Sequence, residues 1–220
     1  MTTRTLLICG AIAGPLFLLV VLLQDYTRPG FDPRIHALSL LSLGRWGWIQ
    51  ILNFVVTGAL DVLYARGIWN RLDGRLGAFA AGCIGVHGLA LIVVGVFPTD
   101  PSGGFPPGSV APPGPSWHGF VHGLGALFVF LPLAGALVLF ARWFAPRRAR
   151  GWAAYTAASA VVMVGLFFGG VSSPLRLARL LRLATIVGWM APAMCAIRLA
   201  SDITTVFTQP PFDGRPGRPD

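Results

Sequence analysis

Two histidines four residues apart, in Trp117-His118-Gly119-Phe120-Val121-His122, have the plainest capacity for chemistry in this chain. On a helix, residues at that spacing share one face about a turn apart, so both imidazoles could approach one metal ion. Asp100, in Phe97-Pro98-Thr99-Asp100-Pro101, could add a carboxylate, and His36 a third nitrogen. Three protein ligands and an open position would make a zinc site that lowers the pKa of bound water to about 7, the starting point for hydrolysis. The pair lacks the Glu that accompanies it in metalloprotease helices. The same residues also have a structural reading. Asp before Pro forms turns and ties down backbone N–H groups, and His118 stands at a helix start beside Trp117. A third reading makes His36, Ser39, Asn53, Asp100, His118 and His122 the polar lining of a pocket without metal.

Asp61 and His87 are isolated polar residues inside apolar runs. An ionisable group there costs a few kcal/mol unless it is paired or reached by water. Arg66, Arg142 and Arg198 are the partners expected for Asp61, with a proton relay as the sharper alternative. A haem between His87 and His122 is disfavoured by depth. His87 lies ~15 Å from its span end and His122 ~6 Å from its own, whereas two axial ligands should sit level. His87 is expected to stay neutral and donate to a neighbouring carbonyl.

The elements that must position these residues are six apolar stretches in a chain of 220 residues with 55% hydrophobic and 11% charged residues and a mean hydropathy of +0.70. Crossing ~30 Å of hydrocarbon takes about 20 mostly apolar residues. The stretches fall near 5–24, 47–66, 76–97, 118–140, 152–170 and 180–200. The fold class expected is therefore all-α, a polytopic transmembrane bundle forming one domain over 1–200, with a disordered cytoplasmic tail over 201–220. The first stretch follows a short basic leader but ends at Gln24-Asp25-Tyr26 without a small-x-small cleavage site, so it reads as a retained span. Between the first two spans, Asp32-Pro33 signals a helix start, and Ile35, Leu38, Leu41 and Ser42 recur at helical spacing. A short amphipathic helix over 33–45, lying in the outer interface with Trp46 and Trp48 as anchors, is the expectation. The 98–117 loop holds Pro98, Pro101, Pro106, Pro107, Pro112, Pro113 and Pro115 and reads as an extended cap over the outer face. The third span is rich in Gly and Ala, which favours close packing on a neighbour.

The chain has no Lys and no Glu, and its net charge is +9. With the N-terminus inside, the inner segments carry Arg4, Arg66, Arg71, Arg75, Arg142, Arg147, Arg148, Arg150, Arg198, Arg215 and Arg218. The outer segments carry only Arg28, Arg34, Arg45, Arg176, Arg179 and Arg182. This bias favours both termini in the cytoplasm and a place in the bacterial inner membrane. Arg147, Arg148 and Arg150 then face anionic inner-leaflet lipid, so the charge needs no nucleic acid partner. Arg176, Arg179 and Arg182 form one basic face suited to lipid phosphate or to balancing Asp25, Asp32 and Asp100. Cys9, Cys83 and Cys195 sit singly in three spans and read as packing residues.

The Phe97–Pro101 run, the Gly104-Phe105-Pro106-Pro107-Gly108 loop and the Trp117-His118-Gly119-x-x-His122 start, with His36-Ala37-Leu38-Ser39 and Gly47-Trp48, resemble the domain of unknown function 998 family. That family comprises integral membrane proteins common in actinobacteria, and the likeness covers roughly 5–200. It implies a multi-span α-helical membrane protein and no particular reaction. The histidines with Ser and Asp are also similar to those of alkaline ceramidase-type membrane hydrolases, although there the HxxxH pair lies on the last span. Three functional readings follow. The first is an outer polar pocket for a lipid-like or small hydrophobic ligand. The others are a metal-dependent membrane hydrolase and a structural or accessory subunit.

Overall fold

The computed structural model describes residues 1–208 apart from Pro174, with side chains as far as Ser201. Six long helices account for most of it: α1 Thr3–Thr27, α2 Gly47–Arg71, α3 Gly74–Val96, α4 Trp117–Phe144, α5 Arg150–Val171 and α6 Leu177–Thr208. All six are long and apolar enough to cross a bilayer. The chain is thus a multi-pass membrane protein. The helices satisfy their own backbone polar groups, which hydrocarbon demands. The helix ends extend beyond the apolar stretches by a turn or so, and α6 takes in 201–208 of the expected tail. The rest of that tail lies outside the described residues.

Each helix packs on its sequence neighbours, and α1 packs on α6, so the six close into a ring. Phe17, Tyr64, Ile84, Leu91, Leu133, Leu137 and Phe140 fill its interior. Small residues set the closest approaches. A Cβ on Gly14 would run into the Trp189 carbonyl, and one on Gly58 into the Gly88 carbonyl. Ile12, Leu19, Phe79, Phe128 and Val161 face outward, as lipid contact allows.

The connections α1–α2, α3–α4 and α5–α6 share one end of the ring, the loop face; the N-terminus, α2–α3 and α4–α5 share the other. At the loop face, the helix expected over 33–45 shrinks to a 3-10 turn, Leu38–Ser42. The physical reason is that this segment plugs the ring instead of lying on the bilayer. His36, Leu40, Leu41 and Ser42 are all buried, so the segment is driven into the end of the ring and does not rest on a lipid surface. Asp32 starts a turn, its Oδ1 accepting from the Arg34 N–H and its carbonyl from His36 N–H. Arg28 reaches back to donate to the Leu43 carbonyl. Trp46 and Trp48 remain exposed.

Candidate functional site

The α3–α4 connection is held by reciprocal capping. Helix ends leave orphan N–H groups at the start and orphan carbonyls at the finish. Asp100, just past α3, serves the start of α4. Its Oδ2 accepts from Ser116 N–H at 2.9 Å and its Oδ1 from the Ser116 hydroxyl at 2.5 Å. The Ser116 oxygen in turn accepts from Gly119 N–H at 3.1 Å, the usual N-cap bond. In the other direction, α4 serves the finish of α3. His122 Nδ1 contacts the carbonyls of Phe97 at 2.9 Å and Val94 at 3.1 Å. His118 Nδ1 contacts the carbonyl of Pro98 and the Ser116 oxygen, both at 3.1 Å. Carbonyl acceptors around Nδ1 require that nitrogen to carry the proton, so Nε2 of each neutral ring keeps its lone pair. Gly119 is required here because a Cβ would collide with the Asp100 carboxylate. The HGxxH and FPTDP runs are thus two halves of one joint.

The Ser116 hydroxyl holds the Asp100 carboxyl below its ordinary range, with the Ser116 N–H adding to the effect. A depressed folded value means that stability is present above the unfolded carboxylate pKa of about 4 and is lost as pH falls through the folded value. Hydrogen-exchange protection in 97–116, taken relative to the intrinsic exchange rate at each pH, should therefore stay flat from neutral pH to about pH 5 and fall only below about pH 4. Ser116→Ala should cost about 1–2 kcal/mol and move that fall to higher pH. An unchanged profile in Ser116→Ala would contradict the capping role.

His36 belongs to a different joint. Its Nδ1 accepts from Asp32 N–H at 2.9 Å and its Nε2 donates to the Gly103 carbonyl at 2.9 Å. Its ring lies 5.4 Å from both Phe31 and Phe105, which meet edge-on at 5.3 Å. The Arg28 guanidinium stands 5.8 Å from the Phe105 ring, and burial lowers its pKa. Phe105, nearly fully buried, pins the Pro-rich loop onto the 28–46 segment. The two loops form one lid.

The four residues proposed as zinc ligands thus separate into two joints. Both nitrogens of His36 and both oxygens of Asp100 are engaged by the protein. Among the described residues, no three His, Cys or Asp side chains gather around a point that could hold a metal ion. Asn53 does not join the histidines either. Its Nδ2 donates to the Phe17 carbonyl at 3.1 Å and to Gln50 Oε1 at 3.3 Å, and Gln24 Nε2 reaches the same oxygen at 2.8 Å. This buried amide group ties α1 to α2, and the sequence reading passed over Gln24 and Gln50 because each stands near the end of an apolar run.

Ser39 and His122 do come together. With Ala37, Leu38, Phe17, Phe54, Leu91, Val94, Ala126, Val129, Phe130, Leu181, Thr185 and Trp189 they line a cavity of about 70 Å³ beneath the lid. Its wall is almost wholly apolar. His122 brings its free Nε2, and Trp189 a buried indole N–H that has no hydrogen-bond partner. Thr185 has its hydroxyl bonded to the Leu181 carbonyl at 2.8 Å. Thr185 and Trp189 are one helical turn apart on α6, a spacing that carries no signal without the neighbouring helices.

Deeper in the ring, the ionisable neighbour of Asp61 is His87, not the arginines expected from the span ends. His87 Nε2 lies 3.4 Å from Asp61 Oδ2, and Nδ1 contacts the Val129 carbonyl at 2.7 Å. Both residues are buried, and Trp189 packs edge-on against the imidazole at 5.2 Å.

No curated protein and no solved structure matches the chain. A family model described as "Protein of unknown function (DUF998)" matches residues 11–198, nearly the whole of the helical ring. This chain, a six-helix membrane ring with a two-loop lid, belongs to the DUF998 family.

Proposed function

We propose that the protein binds a lipid-like or small hydrophobic ligand at the loop face, with an alkyl chain ending in the cavity under the lid. The carrying observation is the cavity itself, whose lining, with Phe17, Phe54, Leu91, Val129 and Phe130, is almost wholly apolar. At about 70 Å³ it is smaller than the ~150 Å³ apolar cavity that accepts benzene, so it suits a chain end and not a whole ring. Leu38 and Thr185 also line a second opening between α1 and α6, which offers a chain a way in from the bilayer. The Arg bias supports cytoplasmic termini, which would place the lid outside, and Arg147, Arg148 and Arg150 would then meet anionic inner-leaflet lipid.

Ligand-linked stability tests this reading. Anything that binds the folded state alone raises stability by RT ln(1 + [L]/Kd), about 2.7 kcal/mol at a hundredfold excess over Kd. The Tm of detergent-purified protein should rise with added long-chain alcohol or lysolipid. Ala126→Phe, which fills the cavity from α4, should abolish that rise. Equal ligand-dependent rises in both proteins, or none in wild type, would refute the proposal. Zinc analysis of the same samples addresses the hydrolase alternative: stoichiometric metal lost in His118→Ala and His122→Ala would favour it.

A further inference from the structure

A groove of about 210 Å³ runs between α1 and α6 at the loop face, walled by Leu18, Val21, Leu22 and Ile186. Asp25 and Arg182 stand at its loop-face end. Asp25 lies two residues from the finish of α1 and Arg182 five from the start of α6, so both sit ~3–8 Å inside the helix ends, at headgroup level. Arg182 Nη1 donates to Asp25 Oδ2 at 2.5 Å. A guanidinium and a carboxylate usually join through two parallel bonds. Here only one forms. Asp25 Oδ1, Arg182 Nε and Arg182 Nη2 are all buried and without a hydrogen-bond partner. The Asp25 side chain is only 8% exposed. Such orphaned groups are costly when the protein itself shuts them away from water. A small rotation of either side chain would offer two N–H donors and one anionic acceptor to whatever occupies the groove.

We propose that this end of the groove receives the headgroup of a zwitterionic phospholipid carrying a primary ammonium, a phosphoethanolamine. The phosphate takes the free Arg182 N–H groups, the ammonium takes Asp25 Oδ1, and an acyl chain lies along the apolar wall. The exposed Arg179, one turn from Arg182 toward the interface, adds a second cation for the phosphate. A glycerol headgroup could give Oδ1 only a neutral hydroxyl, and the lipid's uncompensated negative charge would stand against Asp25. A choline headgroup has no N–H to give. The chain placement rests on the acyl-chain reading above; the headgroup rests on the orphaned atoms alone.

The test is native mass spectrometry of the full chain released from nanodiscs holding equal amounts of phosphatidylethanolamine, phosphatidylglycerol and phosphatidylcholine with matched chains. Wild type should retain one phosphatidylethanolamine, about tenfold over the other two, the factor one charge-assisted hydrogen bond supplies. Asp25→Asn should keep lipid but lose the preference. Arg182→Gln should lose phospholipid of every class. Ile186→Trp narrows the groove without touching the polar pair and guards against a misfolded Arg182 variant; it too should release the lipid. Equal retention of the three lipids by wild type, or a preference that survives Asp25→Asn, overturns the headgroup assignment. If lipid is then still lost in Ile186→Trp, the acyl-chain reading stands alone. A wild-type chain that carries no phospholipid overturns the headgroup assignment, and the long-chain alcohol test above then decides the acyl-chain reading by itself.

Discussion

His87→Ala is expected to lower the unfolding free energy by about 1–3 kcal/mol, the cost of leaving a buried polar group without its partner. The substitution would remove the imidazole that lies 3.4 Å from the Asp61 carboxylate and leave the Val129 carbonyl without the ring nitrogen now 2.7 Å away. It would also open a void beside the Trp189 ring. His87→Gln keeps a donor toward Val129 and should recover part of the loss. Unfolding by titration with a denaturing detergent, or by steric trapping in bicelles, reads these differences. A His87→Ala variant as stable as wild type would mean that the pair is not a structural element of the ring.

Gly58→Val should cost at least the 1–3 kcal/mol of an overpacked core. A Cβ at Gly58 meets the Gly88 carbonyl, and one at Gly88 comes within 2.6 Å of the Gly58 carbonyl, so neither backbone can yield without moving a helix. Such reciprocal contacts between small residues let α2 and α3 approach closely, as membrane helices do where no hydrophobic force drives association. Asp61 is one turn from Gly58 and His87 is adjacent to Gly88, so the helices cannot part here without separating the pair. The Gly58→Val and His87→Ala losses should therefore be less than additive in a double-mutant cycle, because each removes the same contact. Strict additivity would show the two features to be independent.

How much was legible beforehand differs by element. Apolar length alone defines six spans, because hydrocarbon thickness and helical rise fix the number of residues needed. The FPTDP and HGxxH runs stood out as polar islands, but their meaning depended on register. Only the structure shows His118 and His122 turning Nδ1 onto the carbonyls of Val94, Phe97 and Pro98 while Asp100 turns onto Ser116. The helix expected over 33–45 rested on periodicity, which cannot tell a face that meets lipid from a segment driven into a ring. Asp61 was matched to arginines at similar distance from a membrane surface, yet its neighbour is set by which helix faces it. Setting the 176–182 arginines against Asp25, Asp32 and Asp100 anticipated the Asp25–Arg182 contact in kind, but which of those pairs forms depends on α1 meeting α6. Ring closure of that kind leaves no periodic trace.

The reciprocal joint, the His36–Phe105 lid and the cavity form one assembly at the loop face. Asp100 and the two histidines fix the α3–α4 turn, the lid closes over it, and the apolar space remains beneath. Photolabelling tests most directly whether that space takes a chain end. A long-chain alcohol bearing a terminal diazirine, activated in bilayer-embedded protein and followed by peptide mapping, should mark Phe54, Leu91, Val129 or Trp189, the inward-facing lining, and lose those marks in Ala126→Phe. Labels confined to outward-facing residues such as Phe79, Phe128 and Val161, and unaffected by Ala126→Phe, would show that hydrophobic chains meet only the outside of the ring.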